Sequence, residues 1–146
     1  MFELRQFRDA DETAVHQLHE FAQNGTDAPA DLSAIRDAYL TAGGEFLVGE
    51  VDGQLVAMGA LRRVSAASAE IKRMRVHPRW QGQGFGRMVL DGLEARAREL
   101  GFTTLRLDTT VRQHVARALY EDAGYKLVGT GHENGFELVY YVKRLA

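Results

Sequence analysis

The sequence predicts a mixed α/β fold, a sheet of about six to seven strands with helices on both faces. Three observations carry that expectation. Helical periodicity comes early, an Asp-Gly hairpin follows, and the second half alternates strand and helix before two closing strands. The 146 residues, 45% of them hydrophobic, suffice to bury one core without disulfides or structural metal. A single domain over residues 1–146 is expected.

Leu4 to Phe7 reads as a first strand. Asp9 with Glu12 resembles a capping box, and Val15, Leu18, His19 and Ala22 then form the apolar stripe of a helix. Gly25 and Pro29 punctuate, Asp31 is placed to cap a second helix carrying Leu32, Ile35 and Tyr39, and Gly43-Gly44 ends it. Phe46–Val51, Asp52-Gly53 and Leu55–Leu61 form a hairpin, because Asp-Gly tolerates the positive φ of a type I′ turn. Leu55–Leu61 is apolar on both faces, as a central strand requires.

The next strand, Ala69 to Val76, breaks parity. Ile71 is apolar at an odd position and Met74 and Val76 at even ones, so strict alternation cannot put all three on one face. An inserted residue near Lys72-Arg73 resolves the conflict, and a β-bulge is expected there. A strand covered on both faces is the alternative. Beyond His77-Pro78 and a glycine-rich loop, Val89, Leu93, Ala97 and Leu100 line one face of a helix ended by Gly101. Thr104–Asp108 alternates as a strand. A helix from about Gln113 carries Ala116, Leu119, Tyr120 and Ala123 and stops at Gly124. Tyr125–Gly129 and Phe136–Val142 close the fold around Asn134-Gly135, with one of Tyr140 and Tyr141 facing the core.

Composition narrows the chemistry. There is no cysteine, which removes disulfides, zinc-thiolate sites and a cysteine nucleophile. A net charge of −2 gives no basic footprint for nucleic acid. No apolar run approaches the roughly 20 residues needed to cross a bilayer, and Met1–Arg5 lacks a signal-peptide layout. A soluble, cytoplasmic protein with no membrane partner is expected. His16 and His19 stand three apart on a helix without a third ligand nearby in sequence, so no metal is expected. His77 reads as a turn residue and His114 as a surface one.

The loop Gln81-Gly82-Gln83-Gly84-Phe85-Gly86 lies between a strand and a helix. Glycines at alternate positions let the backbone approach a ligand, and the helix N-terminus behind them adds free N–H donors and partial positive charge. A pyrophosphate is the natural occupant, with Arg79 and Arg87 flanking it. A P-loop requires Gly-Lys-Ser/Thr where Gly86-Arg87-Met88 stands. The dinucleotide fingerprint fails on its third glycine.

The segment from Ala69 to Gly86 resembles the core motif of the Gcn5-related N-acetyltransferases, Arg/Gln-x-x-Gly-x-Gly/Ala, met by Gln81, Gly84 and Gly86. Gln113 to Tyr125 is similar to a second family pattern, Asn-x-x-Ala-x-x-Leu-Tyr-x-x-x-Gly-Phe, through Ala116, Leu119, Tyr120, Gly124 and Tyr125. The resemblance implies a mostly antiparallel twisted sheet whose bulged fourth strand splays from the fifth. It also implies acetyl-CoA as acyl donor and a primary amine, on a small molecule or a peptide, as acceptor, joined by direct attack in a ternary complex. Backbone groups at Met74, Arg75 and Val76 would then face the pantetheine arm and the oxyanion. Gln81, Gly82, Gln83, Gly84, Phe85, Gly86 and Arg87 would hold the pyrophosphate. Gln113 stands where the family has asparagine against the cofactor. Glu70 is the implied base and Tyr120 the implied acid, although Tyr120 also completes a core stripe. Phe21 to Tyr39 and Gly131 to Gly135 would line the acceptor side. A coenzyme A-binding regulatory module without turnover is the competing reading. The oligomeric state stays open, a homodimer included.

Overall fold

The computed structural model describes residues 1–21 and 30–146. Its strands are β1 (Phe2–Gln6), β2 (Glu45–Val51), β3 (Gln54–Arg63), β4 (Ser68–Val76), β5 (Thr104–Thr110), β6 (Lys126–Glu133) and β7 (Phe136–Arg144). Three α-helices are described, α1 (Glu12–His19), α2 (Phe85–Glu99) and α3 (His114–Asp122). The strands form one sheet of seven in the order β1-β2-β3-β4-β5-β7-β6. Every neighbouring pair is antiparallel except β4 and β5, which run parallel. Among the described residues no helix is long and apolar enough to cross a membrane.

Period-two alternation sends side chains to two cores. Val89, Leu90, Leu93 and Ala97 of α2, with Tyr120 and Ala123 of α3, pack on Leu47, Ala57, Leu61, Ala69 and Ile71. On the opposite face Val15 and Leu18 of α1 join Leu32, Ile35 and Tyr39 over Phe46, Val48, Met58 and Ala60. Each large apolar side chain buried this way contributes roughly 1.5–3 kcal/mol. Both hairpins use the expected turns, with positive φ at Asp52 and Gly53 and again at Asn134 and Gly135. Tyr141 is fully buried and Tyr140 exposed, as the alternation of β7 requires.

The N-terminal reading needs correction in two places. The capping box belongs to Arg8 and Asp11, because the Arg8 N–H donates to the Asp11 carboxylate at 2.8 Å, while Asp9 pairs with Arg36 at 3.0 Å. The expected second helix is a 3-10 turn, Ala30–Ser33, followed by a π-helical turn, Arg36–Leu40. Asp31 is drawn from a capping role into a bidentate pair with Arg73, at 2.8 and 2.7 Å, and also accepts from the Tyr39 hydroxyl. Ala22, Gly25 and Pro29 lie outside the described residues.

The parity break is a bulge. Lys72 pairs with Ala60 and Arg75 with Met58, so Arg73 and Met74 together oppose Gly59 alone. Arg73 takes the left-handed conformation, φ 59°, which costs a non-glycine residue roughly 1–2 kcal/mol; the Asp31 pair holds it there. Past the bulge Met74 and Val76 pack against the same core as Ile71. Gly59 makes room, since a Cβ built there would stand 2.6 Å from Met74 Sδ.

Candidate active site

β4 and β5 pair only where Ser68–Glu70 meets Thr104–Arg106. Beyond that point β4 follows β3 to Val76 and β5 follows β7 to Thr110. Two strand edges therefore diverge, and among the described residues no strand fills the space between them. Backbone N–H and C=O groups require partners, and an extended ligand with peptide-like groups can supply them as an added strand.

The glycine loop lies at the end of β4. His77 Nδ1 accepts from the Arg79 N–H at 3.1 Å and caps the short turn Pro78–Trp80. The Gln81 side-chain amide donates to the Val76 carbonyl at 3.1 Å, tying the loop back to β4. Gly82 and Gly84 have φ of 79° and 86°, and a Cβ on either meets nothing within 4 Å. The constraint is backbone conformation, not space. Gly84 is the N-cap of the 15-residue α2, so the N–H groups of the first turn, at Phe85, Gly86 and Arg87, are available to an anion.

The side chains of the loop do other work. Phe85 stacks on Phe2 with ring centres 4.3 Å apart, and the Arg87 guanidinium pairs with Asp91 at 2.9 Å. Gln83 and Arg79 line a depression with Gln54, His77 and Trp80, and Gln54 is the first residue of β3. The loop thus presents backbone to a ligand.

Tyr120 of α3 is 5% exposed, its ring packed near Tyr125 and Tyr141 at centroid distances of 5.9 and 6.3 Å. Among the described residues its hydroxyl makes no hydrogen bond. Burial pushes its pKa up to about 12, with the Arg75 charge opposing and Asp108 adding. The phenol is therefore protonated at neutral pH, and it feels charges from both diverging strands. Gln113 accepts a hydrogen bond from the Thr109 hydroxyl, so its Oε1 braces α3 on β5.

Glu70 lies at the fork, where its carboxylate accepts from Arg62 at 2.6 Å. Asp108, two residues beyond the last β4–β5 pair, was not singled out by sequence reasoning. It is exposed at the mouth of the opening. Partial loss of hydration and the nearby charges of Glu70 and Glu133 raise its pKa, with Lys72 opposing. A polar residue on an alternating strand reads as a solvated one; only the fork, set by pairing between distant segments, distinguishes it. Met74 turns its side chain into the core, and its carbonyl accepts from Arg75 Nη1 at 2.7 Å. His114 is exposed, and His16 Nε2 lies 2.8 Å from the Leu32 carbonyl. Among the described residues no cluster of three or more His, Cys, Asp or Glu is placed to hold a metal ion.

A forked sheet with a glycine-capped helix at its far end can hold an extended ligand carrying an anionic tail. Comparison with known proteins gives that class a family. The family model of the acetyltransferase (GNAT) family matches residues 10–125. The chain is 37% identical over 81 residues to the IAA acetyltransferase of Azospirillum brasilense, covering 55% of this chain and 53% of that protein. It is 31% identical over 105 residues to N-acetyltransferase family 8 member 2 of Rattus norvegicus, covering 68% and 46% respectively. The chain thus spans about half the length of these curated relatives. Among solved structures, yncA, a putative acetyltransferase from Salmonella typhimurium with its cofactor acetyl-CoA, superposes with a TM-score of 0.83 at 21% identity, over 99% of this chain and 94% of that one. The chain belongs to the acetyltransferase (GNAT) family.

Proposed function

We propose that this protein transfers an acetyl group from acetyl-CoA to a primary amine of a small molecule or peptide, by direct attack in a ternary complex. One observation carries the reading. The two strand edges part beside Tyr120, a buried residue whose hydroxyl makes no hydrogen bond among the described residues, and a glycine-capped helix N-terminus stands at the end of the same opening.

The site fits the donor. The β4 edge around Met74, Arg75 and Val76 offers backbone groups to the pantetheine amides, and the 82–87 backbone offers N–H donors to the pyrophosphate. Gln81 serves that loop by anchoring it to Val76, and Gln113 by bracing α3. When bound, acetyl-CoA supplies an activated thioester. The chain's residues manage protons and charge. A free primary amine carries a proton at neutral pH, and Asp108, with its raised affinity for protons, receives it at its carboxylate. Glu70, already paired with Arg62, acts on Asp108 through its charge. A backbone N–H at the bulge steadies the developing oxyanion, where a fixed donor favours the transition state. Tyr120 holds a proton on its hydroxyl for the departing thiolate.

Two measurements test this reading. A thermal-shift panel with acetyl-CoA, CoA, NAD and ATP should stabilise the protein with the first two, since a ligand that binds the folded state raises the melting point. Tyr120→Phe, which keeps the ring and its packing, should lower kcat by about 10²-fold or more with little change in donor KM. Unchanged turnover with every accepted amine would remove Tyr120 from the chemistry. Acetyl-CoA binding without turnover on any amine would instead indicate a regulatory module.

A further inference from the structure

On the α1 side of the fork two buried polar atoms lack partners among the described residues, Arg75 Nε and His19 Nδ1. His19 is 7% exposed. The two residues are close enough that Arg75 ranks first among the charges acting on His19, and Arg75 also acts on Tyr120. Arg75 lies on the β4 edge proposed to face the acyl group, and His19 of α1 stands beside it.

The neighbouring arginine shows what such an edge can hold. Arg73 grips Asp31 side-on, through Nε at 2.8 Å and Nη2 at 2.7 Å, and that pair is neutral. Arg75 Nη1 is occupied by the Met74 carbonyl, which leaves the same Nε–Nη2 edge free among the described residues. A guanidinium stays charged at any physiological pH. A partly buried cation with an orphan N–H is costly unless an anion meets it, and the planar side-on edge matches a carboxylate.

We propose that Arg75, assisted by His19 Nδ1–H, binds a carboxylate on the acceptor, so that the substrate class is amines carrying a carboxylate close to the reacting nitrogen, as in α-amino acids. This rests on the acetyltransfer reading above. In that arrangement Arg75 on β4 fixes the anionic end, and Asp108 on β5 faces the amine.

The test compares L-amino acids with their amides and their decarboxylated amines, by acetyl transfer and by calorimetric binding, with acetyl-CoA binding measured in parallel. Wild-type protein should prefer the acids by at least tenfold in kcat/KM. Arg75→Met should bring the ratio of acid to amide close to one, and Arg75→Lys, which keeps charge but not the planar fork, should restore it only in part. Asp27, outside the described residues, serves as a control; Asp27→Asn should leave the preference intact. Equal use of acids and amides by wild type, or an Arg75→Met loss shared equally by both, would overturn the proposal while leaving acetyltransfer standing. Failure to bind acetyl-CoA would instead count against the acetyltransfer reading, and binding of the acids to the protein alone would still decide the role of Arg75.

Discussion

Gly59 is where the shape of the site meets the stability of the fold. It alone opposes both bulge residues, and a methyl group there would stand 2.6 Å from Met74 Sδ, 2.8 Å from Val89 Cγ1 and 3.0 Å from Leu93 Cδ1. Two of these neighbours sit on α2, where both are fully buried. Met74 is the flexible one, but any room it yields leaves Val89 and Leu93 pressing on the new methyl. Overpacking of this kind costs about 1–3 kcal/mol. We take about 2 kcal/mol for Gly59→Ala, which lowers Tm by roughly 6–8 °C at this chain length. Met74→Ala alone should cost about 2 kcal/mol, the low end for a partly buried methionine. The double variant should cost about 3 kcal/mol rather than 4, because removing Sδ relieves the closest contact while Val89 and Leu93 still press on the new methyl. Urea unfolding of all four proteins reads this coupling directly. If Gly59→Ala costs the same in both backgrounds, Met74 is not its steric partner and the argument for the bulge's packing fails.

Three further outcomes follow from the same geometry. Gly84→Val places a β-branched residue at φ 86°; it should destabilise the fold by about 1–2 kcal/mol and weaken acetyl-CoA binding at least tenfold by calorimetry, and unchanged affinity would remove the loop from the donor site. Asp108→Asn should lower kcat/KM by about 10²-fold without lowering Tm. The sign is set by its raised pKa in the fold: the folded state holds the Asp108 proton more tightly than the unfolded chain, so ionisation at neutral pH opposes folding, and an amide removes that opposition. Burial works to raise the Asp31 pKa, but the bonds from Arg73 and Tyr39 outweigh it and hold it below the usual value. Its stabilisation is therefore present above the unfolded pKa of about 3.9 and is lost as pH falls through the lower folded value. The Tm advantage of wild type over Asp31→Asn should shrink between about pH 5 and about pH 3; a constant difference would show that the pair does not set it.

Much of this architecture was legible because it is written in local pattern. Asp52-Gly53 and Asn134-Gly135 specify turns whose φ values only a few residue types accept, and the stripes of α2 and α3 repeat at helical spacing. The bulge was legible because a strand cannot hold Ile71, Met74 and Val76 on one face without an extra residue. What escaped depends on partners distant in sequence. Asp31 has the local signature of a cap, yet Arg73 is 42 positions away and offers a bidentate bond that no cap can match. The insertion of β7 between β5 and β6 is invisible in a hairpin whose two strands have similar patterns. Asp108 looks like the polar half of an alternating strand, and only the fork sets its position apart. Gln81 lies in the loop, and the bond from its amide to the Val76 carbonyl is likewise a contact that no local pattern announces.

One inserted residue links these features. Counting back from Val76, the bulge shifts the phase of β4 so that Met74 and Val76 stay on the α2 core. The same shift sends Arg73 and Arg75 to the α1 side, where Arg73 is neutralised by Asp31 and Arg75 is left facing His19. Without it, an unbroken strand would have to place either Met74 and Val76 or Ile71 on the wrong face, and the hydrophobic loss of one such side chain, roughly 1.5–3 kcal/mol, is of the same size as the roughly 1–2 kcal/mol of strain at Arg73. Packing therefore offsets the strain of the bulge. The open strand edge and the Arg75 guanidinium, whose Nε has no partner among the described residues, arise from the same residue that keeps the core intact, so core stability and the proposed acceptor side cannot be altered independently at this point in the chain.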